Sequence, residues 1–418
     1  MKKIEPFRLY YGYIVDSSND IIDEVTAVEM PAGKSYTGQK QAEIFCHGGQ
    51  FIMKQILSEI VKHKCRLAEP GEFTRRAFLA GRIDLTKAEA VADMIGSKTE
   101  YAYSSARNNL LGRFSECIDG IRERCINLLA EIEASVDYPE EDIDPDDCRG
   151  LFKSLKHIID EIRELSESYS AGKIIKEGYK VAIAGRTNAG KSSLFNILLN
   201  QNRAIVTPTP GTTRDWLEEW IDLGGFSVSI TDTAGMRSSS GVVEKEGQKS
   251  SLYIMRDADL VIWIVDVSRK SWRKELENDF EEYKDFDNIK VIFNKIDKLA
   301  ESRLKNIKGK IDQIDAFCIS CKTGSGIKSL KNSLISRINS RMPDLTDKLI
   351  ITSERHKQKL DSFLKHLQKV IRGLKKGLSP ELIAFDFRQG INEIDEITGK
   401  VYNEEILDRI FSRFCIGK

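Results

Sequence analysis

A chain of 418 residues in which 64 basic side chains balance 64 acidic ones has no global field to gather nucleic acid or a membrane surface, so any RNA contact must be local or borrowed from a partner. The length allows two or three domains with separate cores, and no apolar run approaches the roughly 18 residues of a membrane span. Eight cysteines are scattered through the chain, and its opening Met1-Lys-Lys-Ile-Glu-Pro6 leads into no signal-like apolar stretch, which points to reduced thiols in the cytoplasm.

Residues 1 to about 85 mix short β-rich runs, Phe7 to Val15 and Ala42 to Phe45, with loops and one helix. From about Lys87 the pattern turns helical: Ala102, Ala106, Leu110, Phe114, Cys117, Ile121, Cys125, Leu128, Ile132 and Val136 recur at three- and four-residue steps. The acidic, proline-broken stretch from Tyr138 to Asp147 ends that helix, and a second amphipathic helix is expected from Leu151 to Ser170. Helical periodicity resumes near Ser353. One stripe is Leu360, Phe363, Leu364, Leu367, Val370, Ile371 and Leu374; another is Leu382, Phe387, Ile391, Ile394 and Ile397. The expected organisation is four segments: a small α+β domain over 1–85, the first half of a helical domain over 86–175, an α/β domain over 176–340 inserted into it, and the second helical half over 341–418.

The α/β segment carries the chemistry. Gly185-Arg-Thr-Asn188-Ala189-Gly190-Lys191-Ser192-Ser193 follows the apolar run Lys180 to Ala184. A buried strand feeding a glycine-rich turn and then a helix is the context of a phosphate-binding loop. Backbone N–H groups wrap phosphate oxygens there, Lys191 neutralises the β- and γ-phosphates, and Ser192 offers a hydroxyl to Mg²⁺. Asn294-Lys295-Ile-Asp297 follows a second buried run, Lys290 to Phe293. A carboxylate at Asp297 accepts from guanine N1–H and the exocyclic amine, a pattern adenine cannot offer. Between them, Asp232-Thr233-Ala234-Gly235 ends a strand, with Asp232 placed to hold Mg²⁺ through water and the Gly235 N–H to touch the γ-phosphate. Ser320-Cys321-Lys322 closes over the base after a last short strand. These elements in this order define a GTP-binding domain of the P-loop class.

The catalytic equipment is less ordinary. Many small GTPases place a glutamine after the Asp-x-x-Gly glycine to orient water, but Met236 stands here. Either Glu244 or Glu246 could reach the site from the stretch that follows. Upstream, Thr207, Pro208, Thr209, Pro210, Gly211, Thr212 and Thr213 bring several oxygens near the γ-phosphate, one threonine of which should complete the Mg²⁺ shell.

Asn188 inside the phosphate loop, Pro210-Gly-Thr-Thr-Arg-Asp215, Asp232-Thr-Ala-Gly-Met236 and the terminal Cys415-Ile-Gly-Lys418 together resemble the MnmE (TrmE) family of tRNA-modification GTPases. Phe45-Cys-His-Gly-Gly49, the run Glu69 to Leu79 and Asp84-Leu-Thr-Lys-Ala-Glu-Ala90 resemble that family's N-terminal region, so the likeness covers essentially the whole chain. It implies K⁺ beside the phosphates, liganded by the Asn188 side chain, Thr207 and Thr209 backbone oxygens and Thr212. It also implies Thr213 joining Ser192 on Mg²⁺, Glu244 orienting water, and Cys415 acting at the modification centre. Glu43, Arg82 and Lys418 correspond to contacts of 5-formyl-tetrahydrofolate or a related folate. The resemblance further implies a homodimer through the N-terminal and GTPase domains, a heterotetramer with the flavin-containing MnmG, and wobble-uridine (U34) modification of tRNA, with no membrane role. Thr187 departs from the proline often found in this loop, and the chain starts after a glycine-rich segment with which the family usually begins, so an abbreviated folate domain is expected.

Rival readings attach to several of these residues. A prenylation signal at Cys415 is disfavoured by Gly417 and Lys418 and by the lack of a preceding polybasic stretch. Cys318-Ile-Ser-Cys321 has redox-motif spacing but lies on the strand entering the guanine loop, so a structural role is expected; His47 reads as a turn residue, and the remaining histidines form no zinc spacing. The alternative function is a GTP-switched ribosome or membrane assembly factor without modification activity, which would not need the Cys-Ile-Gly-Lys end.

Overall fold

The computed structural model describes residues 4–137, 145–200, 218–232, 251–284, 286–304, 307, 316–342, 349–412, 414 and 417. They divide into two compact units. One holds 1–96, 105–163 and 355–418; the other holds 97–104 and 164–354.

The first unit opens with a three-stranded antiparallel sheet in the order β1 (Tyr10–Val15), β2 (Ile21–Met30) and β3 (Gln41–Phe45). The long central strand β2 was not anticipated, because Asp23, Glu24 and Glu29 interrupt its apolar alternation. Asp23 is buried nonetheless: it accepts the His47 backbone N–H at 2.9 Å and lies 2.8 Å from His47 Nδ1. That backbone bond holds the Asp23 carboxyl below the usual carboxylate range. Two helices follow where one was expected, α1 (Gln50–Lys62) and α2 (Glu72–Leu79).

The single helix expected up to Val136 is divided into α3 (Leu85–Gly96), α4 (Glu100–Leu110) and α5 (Arg113–Asp137). The second break falls at Gly112, whose φ of +94° lies outside helical space, and whose absent Cβ leaves room for Lys87 Cε. The hydrophobic steps continue across the break because Phe114, Ile121, Cys125, Leu128 and Ile132 still face a core. Helix α6 (Pro145–Glu167) begins six residues before the expected start, with proline at its first position, where a missing N–H costs nothing.

The second unit contains α7 (Tyr169–Glu177) and a six-stranded sheet. Its elements in chain order are β4 (Tyr179–Gly185), α8 (Lys191–Asn200), β5 (Glu218–Leu223), β6 (Phe226–Asp232), β7 (Leu260–Asp266), α9 (Trp272–Glu282), β8 (Ile289–Asn294), β9 (Phe317–Cys318) and α10 (Ile327–Asn339). Spatial order is β5-β6-β4-β7-β8-β9, with all pairs parallel except β5 with β6. That antiparallel hairpin turns on Gly224 and Gly225, both at positive φ, as a two-residue turn of matching twist requires. Side chains alternate between two cores. Val181, Ile183, Leu260, Ile262 and Ile292 pack on one face; Ala182, Ala184, Val261, Trp263 and Val291 pack on the other. Within this unit Tyr101 stacks on Phe226 at 5.0 Å, and the Lys98 ammonium lies 3.8 Å from the Trp220 ring. The chain enters and leaves side by side: the Ile351 N–H donates to Ser168 Oγ at 3.1 Å, and a Cβ on Gly172 would lie 1.9 Å from the Ile351 carbonyl oxygen.

The chain then completes the first unit with α11 (Glu354–Lys375), α12 (Pro380–Thr398) and α13 (Glu404–Phe411). Helix α12 lies along α5, where Ile118 and Ile121 on one helix and Phe387, Ile391 and Ile394 on the other are buried. Arg122–Asp395, Arg388–Glu133 and Lys400–Asp119 pairs flank that seam. Leu382, placed in this stripe by the sequence reading, is instead exposed. At 100° per residue it points about 180° away from Ile391, and Ile383 is buried in its stead. A third cluster joins Phe78, Leu85 and Ala88 to Leu407, Phe411 and Phe414, and Arg75 reaches Glu404 and Asp408 at 2.6 and 3.0 Å. The fold is thus a P-loop α/β domain inserted into a helical domain, with a small α+β domain at the N-terminus. Among the described residues no helix is long and apolar enough to cross a membrane.

Candidate nucleotide-binding site

Five of the strands end on one edge of the six-stranded sheet, and the groups singled out above lie at or just beyond those ends. Strand β4 is flanked by β6 and β7: the chain passes from β4 to one side of the sheet, through β5 and β6, and then crosses to build β7, β8 and β9 on the other, and a crevice is expected where the order reverses. The loop after β4 needs its two glycines. Gly185 has φ +134° and a Cβ there would sit 2.3 Å from the Ile264 carbonyl oxygen; Gly190 has φ +110° and a Cβ there would sit 2.1 Å from Asn294 Nδ2. Asn188 takes φ +63°, a left-handed conformation that asparagine tolerates better than most side chains. The buried Lys191 folds back across this loop, with Nζ donating to the carbonyls of Gly185 and Arg186, both at 2.9 Å. Ser193, beside it on the first turn of α8, is exposed.

Ser192 Oγ donates to Asp232 Oδ2 at 2.8 Å, so a hydroxyl and a nearly buried carboxylate converge beside the helix N-terminus. These are hard oxygen donors of the kind Mg²⁺ takes, and they fit such an ion. At the other end of the crevice Asn294 is almost fully buried. Its Nδ2 donates to the Ala189 carbonyl at 2.8 Å, and its Oδ1 accepts the Cys321 N–H at 3.1 Å. One side chain thereby ties the phosphate loop to the loop after β9. The exposed Asp297 accepts a 2.6 Å bond from Ser320 Oγ, which holds its carboxyl below the usual range and leaves acceptor capacity facing outward. Burial pushes the Cys321 thiol up to about 11, so it stays neutral, and Lys322 is exposed beside it. Cys318 and Cys321 are both free thiols.

Lys295, at φ +66°, donates to the Asn188 carbonyl and to Asp266 Oδ2, each at 2.6 Å. Asp266 was missed by the sequence reading. It ends β7, and the usable signal was the unbroken apolar run Leu260 to Val265 stopped by an acid at the same edge as Asp232 and Asn294. Its Oδ1 accepts from the Ser268 N–H at 3.0 Å and the Ser268 hydroxyl at 2.6 Å. Burial would raise its pKa, but Lys295 and Ser268 hold it below the usual carboxylate range. The outer face of the loop is tied as well: Arg186 grips Asp279 of α9 at 2.6 Å, and Arg269 donates to the Thr187 carbonyl at 3.0 Å.

Asn188, Ala189, Gly190, Lys191, Ser192, Asp232, Asn294, Lys295, Asp297, Ser320 and Cys321 are therefore drawn into one crevice system. Thr207 through Thr213, Thr233, Ala234, Gly235, Met236, Glu244, Cys415 and Lys418 lie outside the described residues. Of the folate positions, Glu43 on β3 accepts from Gln41 at 2.9 Å, and Arg82 donates to the Gly33 carbonyl at 2.7 Å.

A parallel sheet with a glycine-framed loop before α8, a serine–aspartate oxygen pair and an Asn-Lys-x-Asp loop defines a P-loop protein of the guanine-nucleotide-binding class. The family model for the MnmE helical domain matches residues 85–415, and the model for the GTP-binding protein TrmE N-terminus matches residues 1–82. The chain is 37% identical over 429 residues to the tRNA modification GTPase MnmE of Thermoanaerobacter sp., covering 100% of this chain and 91% of that one. It is 39% identical to the MnmE of Finegoldia magna and 40% identical to that of Natranaerobius thermophilus, each alignment covering 98% of this chain and 90% of the other. The chain belongs to the MnmE (TrmE) family.

Proposed function

We propose that this protein is a K⁺-stimulated GTPase that acts with the flavin-containing MnmG to build a carboxymethylaminomethyl-type group on C5 of the wobble uridine (U34) of tRNA. The observation that carries the GTPase part is the crevice itself, with a lysine and a serine–aspartate pair at one end and Asp297 at the other. In this reading the Lys191 ammonium exchanges its two carbonyl partners for β- and γ-phosphate oxygens, and Asp297 accepts from guanine N1–H and the amine. Mg²⁺, held by Ser192 and Thr213 with Asp232 behind a water, would neutralise charge developing on the phosphates. Asn188, Thr207, Thr209 and Thr212 would hold K⁺, and Glu244 would orient the attacking water in place of the glutamine that Met236 replaces. Cys415 would serve the modification step, and Glu43, Arg82 and Lys418 a one-carbon folate.

Tyr11, Tyr13 and Ile21 stand exposed on the N-terminal sheet, with Leu9 exposed just before it, which favours a homodimer formed there as well as through the GTPase domains. The work would take place in the cytoplasm. The test has two arms. Hydrolysis should be much faster in K⁺ than in Na⁺ at equal ionic strength, and Glu244→Ala should remove most turnover while leaving GTP affinity nearly unchanged. Cys415→Ser should spare hydrolysis and eliminate the wobble modification in cells, read by mass spectrometry of tRNA nucleosides. Equal rates in the two salts would remove the K⁺ site, and normal nucleosides in a deletion strain would turn the reading toward an assembly factor.

A further inference from the structure

The chain as a whole is neutral, yet the second half of α11 is not. From Ser362 to Pro380 there are five lysines and arginines and no aspartate or glutamate. Lys365, Lys369, Arg372 and Lys376 follow one another at four-, three- and four-residue steps, so they share one face of the helix and its exit over about 16 Å of rise. All four are exposed, as is Lys375 beside them. Several cations elsewhere in this unit are neutralised locally: Lys357 pairs with Asp361, Lys359 with Glu393 and Glu396, Lys400 with Asp119. Along this stripe the ion-pair contact, among the described residues, is that of Lys369 with Asp386, at 4.0 Å.

The stripe has an apolar neighbour. Asp386 lies one turn after Leu382 on α12, and Leu378, Leu382 and Phe385 are all exposed large apolar side chains. A bare polar surface would not need them. Cations of one sign spaced along a helix, bordered by an exposed aromatic ring, suit a ligand that is polyanionic along its length and offers flat apolar faces. RNA is that ligand: its phosphates meet the cations, and an unstacked base has a face for Phe385.

We propose that the outer face of α11 from Lys365 to Lys376, continued by Leu382 and Phe385 of α12, is the surface on which this protein docks the tRNA it acts on. The inference rests on the tRNA reading above. Lys365, Lys369, Arg372 and Lys376 supply sequence-independent backbone contacts, and Phe385 supplies a stacking contact. None of these residues belongs to the nucleotide crevice.

The experiment measures binding of the full-length protein to an unmodified tRNA transcript by fluorescence anisotropy between 50 and 200 mM KCl. The Lys369→Ala/Arg372→Ala variant removes two phosphate contacts, so the slope of log affinity against log salt should fall by about 1.8. Over that fourfold salt range wild type should lose about twelvefold more affinity than the variant. Lys153→Ala/Lys156→Ala, which removes two exposed cations from α6, should keep the wild-type slope. Phe385→Ala should weaken binding about fivefold or more at every salt concentration without changing the slope. Unchanged GTP hydrolysis and melting temperature establish that each variant is folded. If wild type binds no tRNA at any salt, the tRNA reading itself falls. If wild type binds and the α11 pair leaves the slope unaltered, this surface is overturned, and so it is if the pair loses only anionic-vesicle binding or only capture by the flavoprotein.

Discussion

Replacing Asp266 by asparagine removes one charge from the edge of the sheet and almost no volume. In the native protein its carboxylate lies 2.6 Å from the Lys295 ammonium, and Lys295 in turn donates to the Asn188 carbonyl at 2.6 Å. A charge-assisted bond of this kind contributes about 1.5–3 kcal/mol when shielded, and the quarter of the Lys295 side chain open to water trims that to about 1–2 kcal/mol. Lys295 is held by these two bonds in its left-handed conformation, so most of the loss should appear in nucleotide binding. The expected result is a decrease of about 5- to 30-fold in affinity for GTP and GDP alike, measured by titration with a fluorescent guanine nucleotide. Equal losses are expected because the contact serves the base end and the loop, not the γ-phosphate. The folded pKa of Asp266 is depressed, so its contribution is complete above the ordinary carboxylate range and is lost only as pH falls through the lowered value. Between pH 7 and pH 5 the gap between wild type and variant should therefore stay constant. A loss confined to GTP, or no loss at all, would refute the reasoning.

Gly190→Ala should abolish GTP binding in calorimetric titration while lowering stability by about 1–3 kcal/mol, because its Cβ would meet Asn294 Nδ2 at 2.1 Å and the backbone sits at φ +110°. Asp297→Asn should weaken GTP at least about a hundredfold and gain xanthosine triphosphate, whose C2 carbonyl accepts what the new amide donates; hydrolysis assays with both nucleotides check the exchange. Glu89→Gln should lower thermal stability by about 3–5 kcal/mol, since Glu89 answers Arg355 at 2.8 Å and the buried His356 at 2.7 Å. Burial alone would raise the Glu89 pKa, but Arg355 and His356 together hold it well below the carboxylate range, so the Glu89 charge should persist from pH 7 down to pH 5 and be lost only in stronger acid.

The parts of this fold that were legible are those where backbone geometry permits few residues. Gly185 and Gly190 cannot be exchanged without collision, so the loop between them announces itself. The β4 and β8 runs are buried on both faces and read as nearly continuous apolar stretches. Strand β2 was hidden because its inward-facing Asp23 is satisfied by His47, a partner 24 residues away that no local pattern reveals. The break at Gly112 was hidden for the opposite reason, since the hydrophobic period runs on through it. Asp266 needed the sheet order before its position among the other edge residues could be recognised.

The Ser168–Ile351 bond and the contact of Gly172 with the Ile351 carbonyl bear on how the protein is assembled. Residues 183 positions apart in the chain are pinned together by the inserted unit itself. Closing a flexible loop of that length would cost about 4–5 kcal/mol in chain entropy before any contact between the helical halves was made. Once the nucleotide unit has folded, that cost is already met, and α5 and α12 approach each other as though joined by a short linker. Synthesis order agrees with this, because α5 emerges first and must await α12 until the insertion is complete. A variant that weakens the clasp, such as Gly172→Val, should thus refold more slowly, with most of its destabilisation appearing in the folding rate and little in the unfolding rate.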